Sequence, residues 1–142
     1  MIALGLRNLI ADDASITRRL VTHDFGDGTN RPAIFVGSET IPQECGSPII
    51  VIVQEGGAWF GTYGDVGGGE FSFSIRLYGA KDRTSGDLRD LAMDLWRLVD
   101  LCQPVVTGYN VCWCIADPPG ELTDPDGFPG YSIAVRIAAL ES

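Results

Sequence analysis

Phe71-Ser-Phe-Ser-Ile-Arg-Leu-Tyr78 alternates apolar and polar residues without a break. Side chains of an extended strand point to opposite faces in turn. Phe71, Phe73, Ile75 and Leu77 therefore share one face, and Ser72, Ser74, Arg76 and Tyr78 the other. This pattern predicts a half-buried strand. The period then changes from two to about 3.6. Leu88, Leu91, Ala92, Leu95, Leu98, Val99 and Cys102 fall in one arc of a helical wheel, opposite Arg89, Asp90, Asp94, Arg97 and Asp100. The spacing predicts a helix over 84–102, with Thr84 or Ser85 as N-cap, Asp87 at the positive end of the dipole and Pro104 as the stop. Trp96 lies at the edge of the apolar arc. Met93 falls on the polar side and is a candidate for a contact between subunits. A one-faced strand and a one-faced helix each have an apolar side to cover, and they cover it against layers of the opposite kind.

Upstream, Ile49-Ile-Val-Ile-Val-Gln54 is a β-branched run with Pro48 just before it, where a strand tolerates proline. It predicts a central strand covered on both faces. Ala33-Ile-Phe-Val36 predicts a short strand, and residues 25–32 a turn-rich connection. The first twenty residues predict a nearly continuous helix or two close ones. Ile2, Leu6, Leu9 and Ile10 form one stripe, and Asp12 or Asp13 caps a second piece bearing Ile16, Leu20 and Val21.

Downstream, Val105-Val106 and residues 109–116 predict one or two strands bent near Gly108. Residues 117–130 predict a long turn-rich loop. The last strand, 131–139, places Tyr131, Ile133, Val135, Ile137 and Ala139 on one face. Ser132, Ala134, Arg136 and Ala138 take the other. Residues 55–70 hold seven glycines in sixteen positions and predict a second long loop. Trp59, Phe60 and Tyr63 lie within it, and aromatic side chains on a loop either fold back on the body or dock on a partner. The expectation is one domain over 1–142 of the α+β class. It is a two-layer sandwich, with a mixed or antiparallel sheet and two main helices packed on one face.

The net charge is −9, with nine arginines, one lysine (Lys81) and nineteen acidic residues. A duplex-DNA binder carries a basic stripe that releases counterions. The longest basic run here is Arg18-Arg19, so specific nucleic-acid binding is not expected. No apolar run reaches the length of a membrane span, and the first residues lack the layout of a signal peptide. The four cysteines, Cys45, Cys102, Cys112 and Cys114, match no zinc-knuckle spacing. Cys112 and Cys114 sit two apart in a strand, so they should share a face and read as small buried side chains. A zinc or redox site is the alternative.

Catalytic signals are sparse. His23 is the single histidine, placed between a helix end and a turn, and reads as a surface or capping residue. Cys45 is a loop thiol without a positioned base. Gly64-Asp-Val-Gly67-Gly-Gly-Glu leads into a strand, whereas a phosphate cradle opens a helix. Asp124-Pro-Asp126-Gly127 matches the start of a calcium loop but lacks the later ligands. The sequence therefore predicts no catalytic residue, metal or cofactor.

The order of these elements resembles the tail-terminator, or tail-completion, proteins of long-tailed bacteriophages. The matching features are the N-terminal helix, the strands Arg31-Pro-Ala-Ile-Phe-Val36 and 49–54, and the alternating strand 71–78 running into the amphipathic helix 84–102. The strand 108–116, the loop carrying Thr123-Asp-Pro-Asp-Gly-Phe128 and the alternating last strand complete the match. The resemblance implies a structural virion protein at the tail–head junction, assembled in the host cytoplasm. Its subunits would close into a six-membered ring that caps the tail tube, ends tube growth and meets the head connector. The implied partners are other copies of the chain, the tail tube protein and a head-completion protein. DNA would pass through an acidic lumen without binding. Trp59, Phe60, Tyr63, Met93, Asp124, Asp126 and Phe128 are the candidate interface residues. The alternatives are a head-completion (neck) protein of the same virion, or a small cytosolic metal-binding domain or enzyme using its cysteines.

Overall fold

The structure is a computed structural model and describes residues 2–37, 46–60, 67–79, 86–123 and 128–141. The chain opens with α1 (Ile2–Ala11) and the single turn α2 (Ala14–Thr17). Asp13 separates them as the N-cap of α2: its Oδ1 accepts from the Ser15 and Ile16 amides at 3.0 and 3.2 Å and from Ser15 Oγ at 2.7 Å. The expected pair of close helices is thus resolved in favour of a capped break. A small hairpin follows, β1 (Thr22–Asp24) with β2 (Asn30–Pro32). It occupies much of the stretch expected to be a plain connection. Its strands lack apolar alternation, and its tip is fixed instead by Asp24 Oδ1, which accepts from Gly26 and Gly28, both at positive φ.

Next come β3 (Ile34–Val36), β4 (Ile49–Phe60), β5 (Gly68–Tyr78), α3 (Gly86–Val99), β6 (Tyr109–Ala116), β7 (Gly120–Thr123) and β8 (Pro129–Glu141). The main sheet has the order β3-β4-β5-β8-β6, and β7 also pairs with β8. Among the described residues, only β3 and β4 run parallel; every other pair is antiparallel. β6 and β7 lie end to end on one flank of β8, separated by Asp117-Pro118-Pro119, where proline has no N–H to give to a ladder. The predicted 117–130 loop is therefore partly strand.

The 55–70 prediction needs a larger correction. Residues 55–60 continue β4, and Gly68–Glu70 open β5, in register from Gly56↔Ser72 to Phe60↔Gly68. Gly68 and Gly69 also face Leu140 and Ala139 of β8. Glycine offers no side chain to pack, but its backbone pairs on both sides when the strand is central. That pairing outweighs its poor strand propensity.

α1 and α3 cover one face of the sheet, as the two-layer reading requires. The core between the layers joins Leu6 and Ile10, Leu91, Leu95 and Val99, and the sheet residues Ile52, Phe73, Ile75, Leu77, Ile133 and Ile137. α1 approaches closely at Gly5, where a Cβ would stand 2.6 Å from Val106 Cγ2. On the other face, the hairpin end of the sheet has its own small core of Ala33, Phe35 and Ile49, joined by Val21, Phe25, Val51 and Tyr78. The first half of β4 is thus covered on both sides, as predicted. α3 ends at Val99 rather than Cys102, because Leu101 takes a left-handed φ of 60° before Pro104 is reached.

Leu95 is fully buried at the centre of α3's inner face. Leu95→Ala is expected to cost about 2–5 kcal/mol, measured by urea unfolding. Asp13→Ala should cost about 1 kcal/mol. The Ser15 hydroxyl, with the two amides, holds the Asp13 carboxyl below its ordinary value of 3.8. The cap's contribution is therefore complete above the ordinary carboxylate range and is lost as pH falls through the lower folded value. The stability gap between the parent and Asp13→Ala should shrink only in strong acid.

Candidate interaction surfaces

The C-terminal half of α3 is clasped to β6. Trp96 Nε1 donates to the Ala116 carbonyl at 2.9 Å, and the Ala116 amide donates to Asp100 Oδ1 at 3.0 Å. The Leu101 amide donates to the Cys114 carbonyl at 3.0 Å, and Cys114 Sγ to the Val99 carbonyl at 3.5 Å. The side-chain phase of β6 shifts at a bulge at Cys112, between Val111 and Trp113. Before it, Tyr109 and Val111 pack on the core; after it, Cys114 and Ala116 do. Cys112 is exposed and Cys114 buried, so the two cysteines do not share a face. The bulge residue shifts the alternation that their spacing implied.

Cys114 has a different thiol neighbour, Cys102. The nearby Cys114 thiol holds the Cys102 thiol below the usual value. The same contact, with burial, pushes Cys114 up, so Cys114 stays protonated. Among the described residues, no three His, Cys, Asp or Glu side chains gather in a metal-holding group. No described helix is long and apolar enough to cross a membrane.

The stretch that runs from the end of α3 into β8 has a distinctive composition. From residue 98 to residue 135 the sequence holds no lysine or arginine, but it holds Asp100, Asp117, Glu121, Asp124 and Asp126. Asp117 and Glu121 are exposed. Among the described residues, the large apolar side chains that stand exposed are Leu101 (76%), Val105 (88%), Ile115 and Phe128. All four belong to this stretch. Leu101 is doubly unusual, since a left-handed backbone costs a residue with a Cβ about 1–2 kcal/mol and this side chain gains no burial in return.

Across the sheet, beside the β3 edge, lies a cleft of about 700 Å³ between α1 and the β1–β2 hairpin. Arg7 and Asn8 line it from α1, and His23, Asp24, Phe25 and Arg31 from the hairpin region. The rings of His23, Phe25 and Phe35 form a cluster with centroids 5.0–5.7 Å apart. The Arg31 guanidinium lies 5.1 Å from the Phe25 centroid and 3.2 Å from Asp27. Asp24 is turned into its own loop by the Gly26 and Gly28 amides, which hold its carboxyl below the ordinary value.

Met93 sits half-buried on α3 in a second hollow with Arg19, Arg89, Asp90, Asp94 and Arg97. Asp94 ties two of these cations, Arg19 at 2.8 Å and Arg97 at 3.3 Å. The open sheet face is different again. Ser74 and Ser132 hydroxyls meet at 2.9 Å across β5 and β8, flanked by the ion pairs Arg76–Glu55 and Arg136–Glu70 at 3.0 and 3.8 Å.

The predicted interface residues that are described lie on separate parts of the chain. Trp59 and Phe60 belong to β4, opposite Gly69 and Gly68. Tyr63, Asp124 and Asp126 lie outside the described residues. Met93 is on α3, and Phe128 lies just before β8. Sequence reasoning missed Leu101, Val105 and Ile115 on one side and Arg7 and Arg31 on the other, although the cation-free run was there to be read. Comparison with known proteins finds no matching family model and no significant curated relative.

Leu101→Gly should relieve the left-handed strain and leave the melting temperature unchanged or slightly raised. If the exposed leucine serves association, the same variant should lower the self-association measured by sedimentation velocity. Loss of stability without loss of association would show that Leu101 serves the fold.

Proposed function

We propose that this chain is a structural subunit of the tail-terminator kind. On this reading, copies close into a ring on the end of a bacteriophage tail tube, stop its growth and offer the far face of the ring to the head connector. The observation that carries the reading is the β6–β7 side. It combines, among the described residues from 101 to 128, the exposed apolar side chains of Leu101, Val105, Ile115 and Phe128, the left-handed backbone of Leu101, and the exposed carboxylates of Asp117 and Glu121. Surfaces of that composition are kept for contact, since a lone soluble domain gains nothing from them. The order of helices and strands along the chain supports the same reading, because it resembles that of the tail-terminator proteins.

The charge suits the role. A ring of chains at −9 each repels DNA passing through its lumen. A rotationally closed ring joins two unlike patches, one from each neighbour. The two flanks of this sheet are unlike in shape: a cleft adjoins the β3 edge, and β6 and β7 form the other. Binding, capping and release are the whole of the proposed activity, and no bond is made or broken.

Light scattering with negative-stain imaging tests the proposal, on the purified chain alone and mixed with tail tubes. The expected result is a ring of six copies, free or seated on tube ends. Rings that ignore tubes but bind portal complexes would move the chain to the neighbouring head-completion position. A monomer that binds neither would overturn the proposal.

A further inference from the structure

We propose that Cys102 and Cys114 form a redox-reactive thiol pair, in which Cys102 meets a peroxide first and Cys114 then closes a disulfide that locks the end of α3 to β6. The pair needs no second copy of the chain and is independent of the tail reading. Val99, the last residue of α3, holds the two cysteines together. Its carbonyl accepts from the Cys102 amide at 3.2 Å and from Cys114 Sγ at 3.5 Å. The Leu101 amide, one residue before Cys102, donates to the Cys114 carbonyl at 3.0 Å. Backbone and sulfur of Cys114 are thus both fixed at the turn that carries Cys102. Two residues further along β6, Ala116 is fixed by Trp96 and Asp100. Groups that a fold holds as neighbours react with each other far faster than with the same groups in solution.

The two sulfurs differ as their roles require. Cys102 is half-buried, so a small oxidant reaches it, whereas Cys114 is buried. The Cys114 thiol holds Cys102 below the usual thiol range, which favours the thiolate, the nucleophilic form. Cys114 is pushed the other way, by its contact with Cys102 and then by burial and the Cys102 charge. It therefore waits as a thiol. Cys112 provides the contrast. It is exposed, and its Sγ lies 4.0 Å from the Asn110 carbonyl, on the far side of the bulge from Cys114's setting.

Hydrogen peroxide serves as the oxidant. The Cys102 thiolate attacks one peroxide oxygen and the O–O bond breaks. Cys102 becomes a sulfenic acid, and the hydroxide released takes up the proton that Cys102 lost on ionising. Cys102 is now neutral, so the charge that helped to keep the proton on Cys114 is gone. The Cys114 sulfur attacks the Cys102 sulfur. The S–S bond forms, the S–O bond breaks, and hydroxide leaves with the Cys114 proton as water. Two thiols and one peroxide give one disulfide and two waters, each sulfur losing one electron. A dithiol reductant reverses the change by exchange. The loop so closed contains Val106, which packs at Gly5 of α1, and closing it restrains the unfolded chain.

A chain carrying Cys45→Ser and Cys112→Ser keeps this pair alone, with no change in the core. It is treated with hydrogen peroxide, quenched, unfolded, alkylated with N-ethylmaleimide and weighed. The expected product takes up no N-ethylmaleimide and is lighter than the reduced chain by two hydrogens. Digestion should recover the Cys102 and Cys114 peptides joined. The melting temperature should rise by about 5–10 °C, and dithiothreitol should bring it back. With Cys114→Ala added, Cys102 should halt at the sulfenic acid, trapped by dimedone, with no thermal gain. With Cys102→Ala added instead, Cys114 should keep its thiol.

Two thiols still open to N-ethylmaleimide after peroxide would overturn the pair. So would a Cys102 that stops at an oxidised acid while Cys114 is in place. A disulfide that leaves the melting temperature unchanged would overturn the lock. None of these results bears on whether copies of the chain form rings, so failure here and failure of the tail reading are told apart.

Discussion

Ala116 is the residue on which the two layers close. Its carbonyl is held by the Trp96 indole and its amide by the Asp100 carboxylate, both from α3. An unsatisfied backbone group in such a place costs about 1–3 kcal/mol, so the helix has one favourable setting along the strand. That setting lays Leu91, Leu95 and Val99 over the sheet and delivers Leu101 to the Cys114 carbonyl. The chain must then turn sharply, and Leu101 adopts the conformation that glycine usually supplies. It continues to Val106, which fills the space left by the missing side chain at Gly5 and so fixes the start of α1. One pair of hydrogen bonds thus sets both helices.

Much of this was legible in advance. The strict alternation of 71–78 and 131–139 and the arc of α3 each fix which residues face the core, and the buried set agrees. The missing parts share a physical cause. In the hairpin, and in the glycine-rich ends of β4 and β5, the pairing is carried by backbone groups, and backbone pairing leaves no mark in a hydropathy pattern. The bulge at Cys112 failed for a related reason. One unpaired residue reverses the faces of everything after it, and no residue type announces it. The candidate surfaces were less legible still. Aromatic content drew attention to Trp59, Phe60 and Tyr63 as well as to Phe128, which is exposed, whereas the other exposed large apolar groups among the described residues, Leu101, Val105 and Ile115, are aliphatic. Exposure is a tertiary property, and a single leucine in a sequence does not carry it.

The chain's charge divides along the sequence: the first 31 residues carry four arginines against four aspartates, whereas residues 98–135 carry five acidic residues and no cation. The arginines of the first 31 residues gather around the helices and the cleft, and the span from residue 98 to residue 135 has none. The total of −9 hides this division, because net charge speaks to solubility and long-range repulsion. Contact depends on where the opposite signs lie. Copies that repel as wholes can still attract through particular edges, and such pairs form only in the orientation that brings those edges together.

β8 runs for thirteen residues as the spine of the sheet, with β5 on one flank and both β6 and β7 on the other. Of the strands it joins, β5 is made long before it. As the chain leaves a ribosome, β4 and β5 can form their hairpin at once, but the outer edge of β5 stays open for some fifty residues until 129–141 emerges. Over that interval α3 has half a sheet to rest on, and β6 has no partner in the main sheet. Closure of the domain is therefore a late and cooperative event, and crowded nascent chains are exposed to mispairing along that one edge.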